Sequence, residues 1–344
     1  MNYGIVIKVL GKILSIEALL MIPSLLVAVY YGQSDVSAFI KSIIIVGVVG
    51  FIMTKVGCKN SRINGKEGLS IVSFGWILVS LFGALPFFIS GSIPSFVDAF
   101  FESVSGFTTT GSTLLTDIEA LPRGVLFWRS FTMWIGAMGI LVFGVAVLPS
   151  IGVGGFQIFK AESPGPIKDR IVPKIKETAK ILYITYTIIT IIVMILLMLG
   201  GMSFYDAVTH AFATAGTGGF STKNLSIGSY NSSYIHIVIS IFMVLSAVNF
   251  YLYYGLFKGK WRDIIKNSEL KFYFGLLFVS VIFIALNLLA TSYDNVGLAV
   301  RDSFFQTSAI ITTTGFSTVN FDQWPTFSKS ILFLLMFIGG CAGS

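Results

Sequence analysis

Apolar residues fall in long unbroken runs along this chain, separated by short stretches that collect glycine, threonine and basic residues. Ile181 to Leu199 and Phe272 to Leu289 contain no charged residue at all. Runs of that length suit helices crossing about 30 Å of hydrocarbon, whereas a helix on a soluble core shows a polar face at every turn. Two earlier runs, Val9 to Tyr30 and Ala38 to Lys55, predict an N-terminal transmembrane hairpin over 1–60. One layout then recurs: a long span, a segment too brief to cross, a Gly/Thr loop and a second span. The first spans begin near Leu69, Thr178 and Leu270, the second near Pro122, Tyr234 and Trp324. The brief segments are Phe96 to Thr109, Ser203 to Ala215 and Val300 to Ile311. This predicts an all-α membrane protein with repeats at 61–157, 158–260 and 261–344.

The brief segments share a register. Asp98 and Gly111, Asp206 and Gly219, and Asp302 and Gly315 are each 13 positions apart. An aspartate at the head of a helix accepts from its orphan amides, so Asp98, Asp206 and Asp302 are expected to cap short helices. A dozen helical residues reach about halfway through a bilayer, which predicts re-entrant pore helices. Irregular backbone at membrane depth survives only where protein buries it or where it lines a water-filled cavity. The candidate ion-binding residues are therefore Thr109, Thr110 and Gly111, Thr217, Gly218 and Gly219, and Thr313, Thr314 and Gly315. Glycine lets carbonyl oxygens converge on an ion, and the neighbouring hydroxyls hold the loop. The loops hold no carboxylate, which disfavours a charged-ring filter for divalent ions. Close helix packing by small residues accounts for any one such loop, but not for three at one register.

Composition agrees with a lipid solvent: 55% of residues are hydrophobic and 11% charged. The net charge of +7 is gathered at Lys8 and Lys12, at Lys55 to Lys66, at Lys160 to Lys180 and at Lys258 to Lys271. All four groups fall on one side of the predicted spans, so the positive-inside rule places them and the N-terminus in the cytoplasm of a multi-pass plasma-membrane protein. None is interleaved with aromatics as nucleic-acid sites are, so membrane lipid is the expected partner and nucleic acid is not. Cys58 and Cys341 stand far apart and suggest neither a disulfide framework nor a metal site. Only two histidines occur, His210 and His236, and no acidic pair shares a span face, which leaves an embedded enzyme as a remote alternative. His210 is expected to be a hydrogen-bonded packing residue, while Asn249 suits either the conduction path or a helix-to-helix bond. Arg129 suits either an acidic partner or a reach toward the interface.

Residues 108–112, 215–221 and 312–317, together with Gly68 to Phe87 and Phe159 to Pro166, resemble the membrane subunits of the Trk/Ktr/HKT superfamily of potassium transporters, TrkH type. The resemblance implies four pore units around a pseudo-fourfold path for K+, with one filter glycine from each: Gly111, Gly219 and Gly315 here. It implies potassium rather than sodium, because sodium-passing members tend to carry serine at the first glycine. It also implies a homodimer on a cytoplasmic nucleotide-binding ring of TrkA type, no cofactor in this chain, and a gate loop at Gly339, Gly340 and Gly343. A fourth unit is expected, and the sequence stops at Ser344 inside the second span of the third. A truncated, non-conducting form is therefore the alternative to active uptake.

Overall fold

A computed structural model describes residues 1–57, 63–139, 175–259 and 261–344. Cys58, the basic residues Lys59, Arg62, Lys160, Lys168, Arg170, Lys174 and Lys260, and the 159–166 stretch lie outside the described residues, as do the expected domain boundaries near 60 and 157. Among the described residues the secondary structure is helical throughout, with no strand. The chain forms two compact units: 1–108 with 112–181, and 109–111 with 182–344.

In the first unit, α1 (Tyr3–Leu20) and α2 (Ile22–Tyr31) together make one apolar stretch of 29 residues. The hairpin's first arm is thus interrupted at Met21, because Pro23 near the start of α2 cannot donate a helical hydrogen bond. The second arm is α3 (Val36–Thr54). Val6, Val9, Leu10, Ile13, Leu14 and Ala18 form the buried stripe of α1 at helical spacing. A Cβ at Gly11 would come within 2.7 Å of the Gly50 carbonyl, and one at Gly50 within 2.9 Å of the Gly11 carbonyl. The two arms approach backbone to backbone, the usual role of small residues where lipid offers no hydrophobic drive. On the other side of α3, Ile44, Val48, Phe51 and Ile52 are exposed, as a lipid-facing surface requires.

The hairpin turn caps a later helix. α7 (Arg123–Ala137) starts with unsatisfied amides; Arg123 N donates to Gln33 Oε1 at 2.6 Å and Val125 N to Asp35 Oδ2 at 3.0 Å. Burial raises the Asp35 carboxyl above its ordinary range, against the lowering effect of these backbone amides. α4 (Gly65–Gly83) continues into α5 (Leu85–Ile89) after a break at Ala84, where Pro86 follows. Next comes the short α6 (Phe96–Phe107), packed against α4 and α7. Trp128 Nε1 of α7 donates to the Gly83 carbonyl at 2.9 Å, using a group left free at the end of α4.

α8 (Ile175–Leu199) enters the second unit at Leu182, and α9 (Phe204–Ala215), α10 (Ser233–Ser246) and α11 (Phe250–Phe257) lie within it. α12 (Trp261–Lys266), α13 (Ser268–Thr291), α14 (Val296–Ile311) and α15 (Thr326–Leu335) complete it. Val244, Tyr273, Leu277, Ile311 and Leu335 bring α10, α13, α14 and α15 into one core. Ile284, Leu288, Ala299, Trp324 and Leu332 form a second cluster. α13 turns Phe272, Phe278, Ile282, Phe283 and Leu286 outward. Among the described residues, five stretches are long and apolar enough to cross a membrane: Tyr3–Tyr31, Val36–Thr54, Gly65–Ile89, Leu182–Leu199 and Ser268–Thr291.

Two carboxylates of the first unit make opposite stability predictions. Arg129 donates from Nε to Glu102, both fully enclosed, whereas Glu17 has two buried oxygens with no hydrogen-bond partner among the described residues. Arg129→Gln leaves a buried charge unpaired and is expected to cost about 3–5 kcal/mol. Glu17→Gln removes an unpaired carboxylate and is expected to be neutral or stabilising. Melting temperatures of the detergent-purified variants check this, and equal losses at both sites would contradict it.

Candidate functional site

Each short helix ends in the same way. α6 is 12 residues, α9 is 12 and α14 is 16, and after a C-terminal residue of ordinary φ each chain enters the left-handed region at a threonine. These threonines are Thr109 at φ 54°, Thr217 at φ 49° and Thr313 at φ 58°. The position is the one where a helix-ending turn normally uses glycine, because a left-handed residue there lets the next amides reach back to orphan carbonyls. The bonds are made: Thr217 N to Thr214 O at 3.2 Å, Gly218 N to Ala213 O at 2.9 Å, and Thr313 N to Ile310 O at 3.0 Å. A β-branched residue in this conformation costs on the order of 1–3 kcal/mol, so its recurrence at three equivalent places marks a constrained site.

Two residues on, the chain is left-handed again, now at glycine: Gly111 at φ 78°, Gly219 at φ 75° and Gly315 at φ 82°. The residues between, Thr110, Gly218 and Thr314, keep ordinary φ. A Cβ on Gly111 would overlap the Gly218 carbonyl oxygen, and one on Gly219 would overlap the Thr314 carbonyl oxygen. Gly111 therefore abuts the residue before the second glycine, and Gly219 the residue before the third. Around Gly315 such a Cβ would meet nothing within 4 Å. Thr314 and Thr312 share a hydroxyl-to-hydroxyl bond of 2.7 Å, and Ser105 Oγ donates to Ser112 O at 2.6 Å. The nine residues singled out from the sequence thus lie in three turns of one kind, and those turns meet backbone to backbone.

The aspartates are not the caps. Ser95 caps α6, accepting from Asp98 N; Ser203 caps α9, accepting from Asp206 N at 3.1 Å; and Asn295 caps α14, accepting from Leu298 N at 3.2 Å. Asp98 and Asp206 sit at the third helical position, where they still complement the positive helix end. Asp302 lies well inside α14, which begins at Val296 rather than Val300. There it accepts from Arg301 Nε at 2.8 Å and from the Tyr293 hydroxyl at 3.1 Å, while Arg301 Nη1 reaches Ser233 Oγ of α10 at 2.9 Å. Burial, and then the Asp302 carboxylate, raise the Tyr293 phenol above its ordinary value.

Other side chains hold the stretches that follow the glycines. Glu102 accepts from Thr113 Oγ1 at 2.9 Å and from Leu114 N at 3.4 Å, besides Arg129. The sequence left Arg129 open between an acidic partner and the interface; the acidic partner is Glu102, the carboxylate inside the first short helix. His210 is buried, with Nδ1 2.8 Å from Asp206 O and Nε2 2.9 Å from Ser221 Oγ. A carbonyl only accepts, so Nδ1 carries the proton and the neutral ring accepts from Ser221 at Nε2. Thr222 Oγ1 donates to Asp206 Oδ1 at 2.8 Å.

The glycines near the end of the sequence form a separate feature. α10 stops at Ser246 and α11 starts at Phe250, so the helix is broken around Asn249. Into this break comes the irregular segment 336–344. Cys341 N donates to Ala247 O at 2.8 Å, Phe250 N to Gly343 O at 3.0 Å, and Asn249 Nδ2 to Ala342 O at 2.6 Å. Ala342 N donates to Glu269 Oε1 at 2.7 Å. Gly340 packs on Ala247, and Gly343 is left-handed at φ 82°. Asn249 therefore serves a hydrogen bond between segments.

A profile of the TrkH family, described as a cation transport protein, matches residues 32–344. The chain belongs to the TrkH cation transport protein family. It is 37% identical over 353 residues to the Trk system potassium uptake protein TrkH of Escherichia coli K12, covering 100% of this chain and 72% of the relative. To TrkG of the same organism it is 34% identical, covering 99% and 71%. The crystal structure of the potassium transporter TrkH from Vibrio parahaemolyticus superposes with a TM-score of 0.86 at 34% identity, covering 100% of this chain and 72% of that one. The chain is thus a multi-pass membrane protein of a transport family rather than an enzyme.

The turn geometry carries a direct test. Gly219→Ala puts a Cβ both at positive φ and onto the Thr314 carbonyl, whereas Gly275→Ala, within α13, meets nothing within 4 Å. The first is expected to lose several kcal/mol of stability and the second to stay within about 1 kcal/mol of the parent. Thermal denaturation in detergent measures both; a tolerated Gly219→Ala would show that the turn is not constrained.

Proposed function

We propose that this chain is the membrane subunit of a potassium uptake transporter, with K+ passing a filter built from the backbone of Thr109–Gly111, Thr217–Gly219 and Thr313–Gly315. The observation that carries this reading is the twice left-handed turn repeated at the ends of three short helices, with its glycines set against neighbouring carbonyls. Alternating left-handed and ordinary residues turns successive carbonyls to one side, where they replace the hydration shell of a monovalent ion. The helix C-termini behind them add partial negative charge and favour a cation. The likeness to potassium uptake proteins supplies the ion.

Segment 336–344, bridging the break between α10 and α11, acts as the gate below the filter, with Gly339, Gly340 and Gly343 giving it freedom to rearrange. The working form is a homodimer on a cytoplasmic nucleotide-binding ring of TrkA type, docked at the basic loops. The N-terminus lies in the cytoplasm, because Lys8, Lys12, Lys66 and Lys271 gather on that side.

Serine at Gly111 is strained at its φ of 78° and adds a hydroxyl suited to a smaller ion. In a potassium-uptake-deficient bacterium, Gly111→Ser is expected to lower the ratio of rubidium to sodium uptake about tenfold, equivalent to about 1.4 kcal/mol of discrimination, while Gly275→Ser leaves it unchanged. An unchanged ratio at normal expression would remove Gly111 from the filter. Orientation has its own assay: an impermeant thiol reagent applied outside intact cells should label Asn224→Cys and spare Lys266→Cys, and the reverse pattern would invert the topology.

A further inference from the structure

The three short helices share a second register, nearer the filter than the aspartates. Glu102, His210 and Gln306 each stand nine positions before a filter glycine, at Gly111, Gly219 and Gly315. All three are buried, at 1%, 0% and 1% exposure. Two positions after each glycine comes a hydroxyl residue: Thr113, Ser221 and Ser317. In the first unit Glu102 accepts from Thr113 Oγ1 at 2.9 Å, and in the second His210 Nε2 meets Ser221 Oγ at 2.9 Å.

We propose that Glu102 and His210 are positioning residues of the filter, each a buried strut from its pore helix to the chain returning from the glycine. This inference rests on the reading of the glycines as the filter. A strained turn held only at its helix end could relax by swinging its outgoing arm. A hydrogen bond at the second residue after the glycine fixes that arm, and with it the direction of the carbonyls. Three unlike side chains stand at one register, which argues for a shared task rather than shared chemistry. Each solves burial in its own way. Glu102 is paired with Arg129, and the buried His210 satisfies both ring nitrogens, donating from Nδ1 to Asp206 O and accepting at Nε2 from Ser221 Oγ.

The third unit shows the consequence of leaving the strut unmade. Gln306 Oε1 is buried without a partner among the described residues, and Ser317 Oγ turns instead to Val319 O at 2.9 Å. The outgoing arm is held from the second unit's arm: Ser317 N donates to Ser226 Oγ at 3.3 Å, and Gly228 N to Ser317 O at 3.0 Å. Every outgoing arm is therefore tied at its second residue, in two cases by its own pore helix.

The test is a double-substitution cycle in the intact protein. His210→Leu and Ser221→Ala are each expected to lower the rubidium-to-sodium uptake ratio about fivefold, and the double variant no further, because both remove one bond. His210→Gln, which keeps an acceptor and borrows the third unit's residue, should restore most of the ratio. Thr209→Ala, whose hydroxyl bonds only carbonyls of its own helix, should leave it unchanged. The same cycle in melting temperature of purified protein should also be non-additive. Additive losses would show that the bond is not shared, and coupling in melting temperature without a change of ion ratio would make it merely structural; either overturns the proposal. A parent protein that takes up no rubidium would remove the transport reading itself, whereas a transporting parent with unaffected variants would remove the strut alone.

Discussion

Backbone at membrane depth has to be hydrogen-bonded within the protein or line a water-filled cavity, and three turns of this chain are where that constraint bears hardest. At each, a short helix ends through a left-handed threonine, and the next left-handed residue is a glycine. The helix-ending bonds satisfy orphan carbonyls of α9 and α14. Strain at the threonines is tolerated because the surrounding elements over-determine it. Thr312 and Thr314 bond to each other, and the arms after the second and third glycines bond to one another.

That support is polar and buried, which in lipid is costly unless complete. The first unit uses an ion pair, Glu102 with Arg129, together with the Thr113 hydroxyl. The second uses a neutral histidine and an aspartate that also accepts from Thr222. The third uses Asp302, tied to Arg301 and Tyr293, and so anchors α14 to the end of α13 and to α10. Identical layouts are therefore held by different chemistry. Pairwise identity between the repeats can fall away while the turns stay the same.

A second departure from regular helix follows the same rule. The break between α10 and α11 exposes the Ala247 carbonyl and the Phe250 amide, and segment 336–344 satisfies both. Asn249 and Glu269 add side-chain bonds to the same segment. A helix break and an irregular segment that would each be unstable in hydrocarbon complete one another.

The hairpin, the first span of each repeat, the brevity of the middle segments and the glycines at a fixed distance from the aspartates were legible in the sequence, because each depends on local hydropathy or spacing along one element. The paired left-handed conformation was half legible: glycine announced it at Gly111, but nothing in a threonine's identity announces φ near 54° at Thr109. The aspartates misled because a carboxylate near a helix start suits the cap or the third position equally well; Ser95, Ser203 and Asn295 win where their backbone is extended. Asp302 lay deeper because its helix starts four residues earlier than the apolar pattern suggested. Partnerships such as Arg129 with Glu102, or Asn249 with Ala342, join residues far apart along the chain. Only packing decides them, since a buried charge or amide takes whichever complementary group the fold brings within about 3 Å.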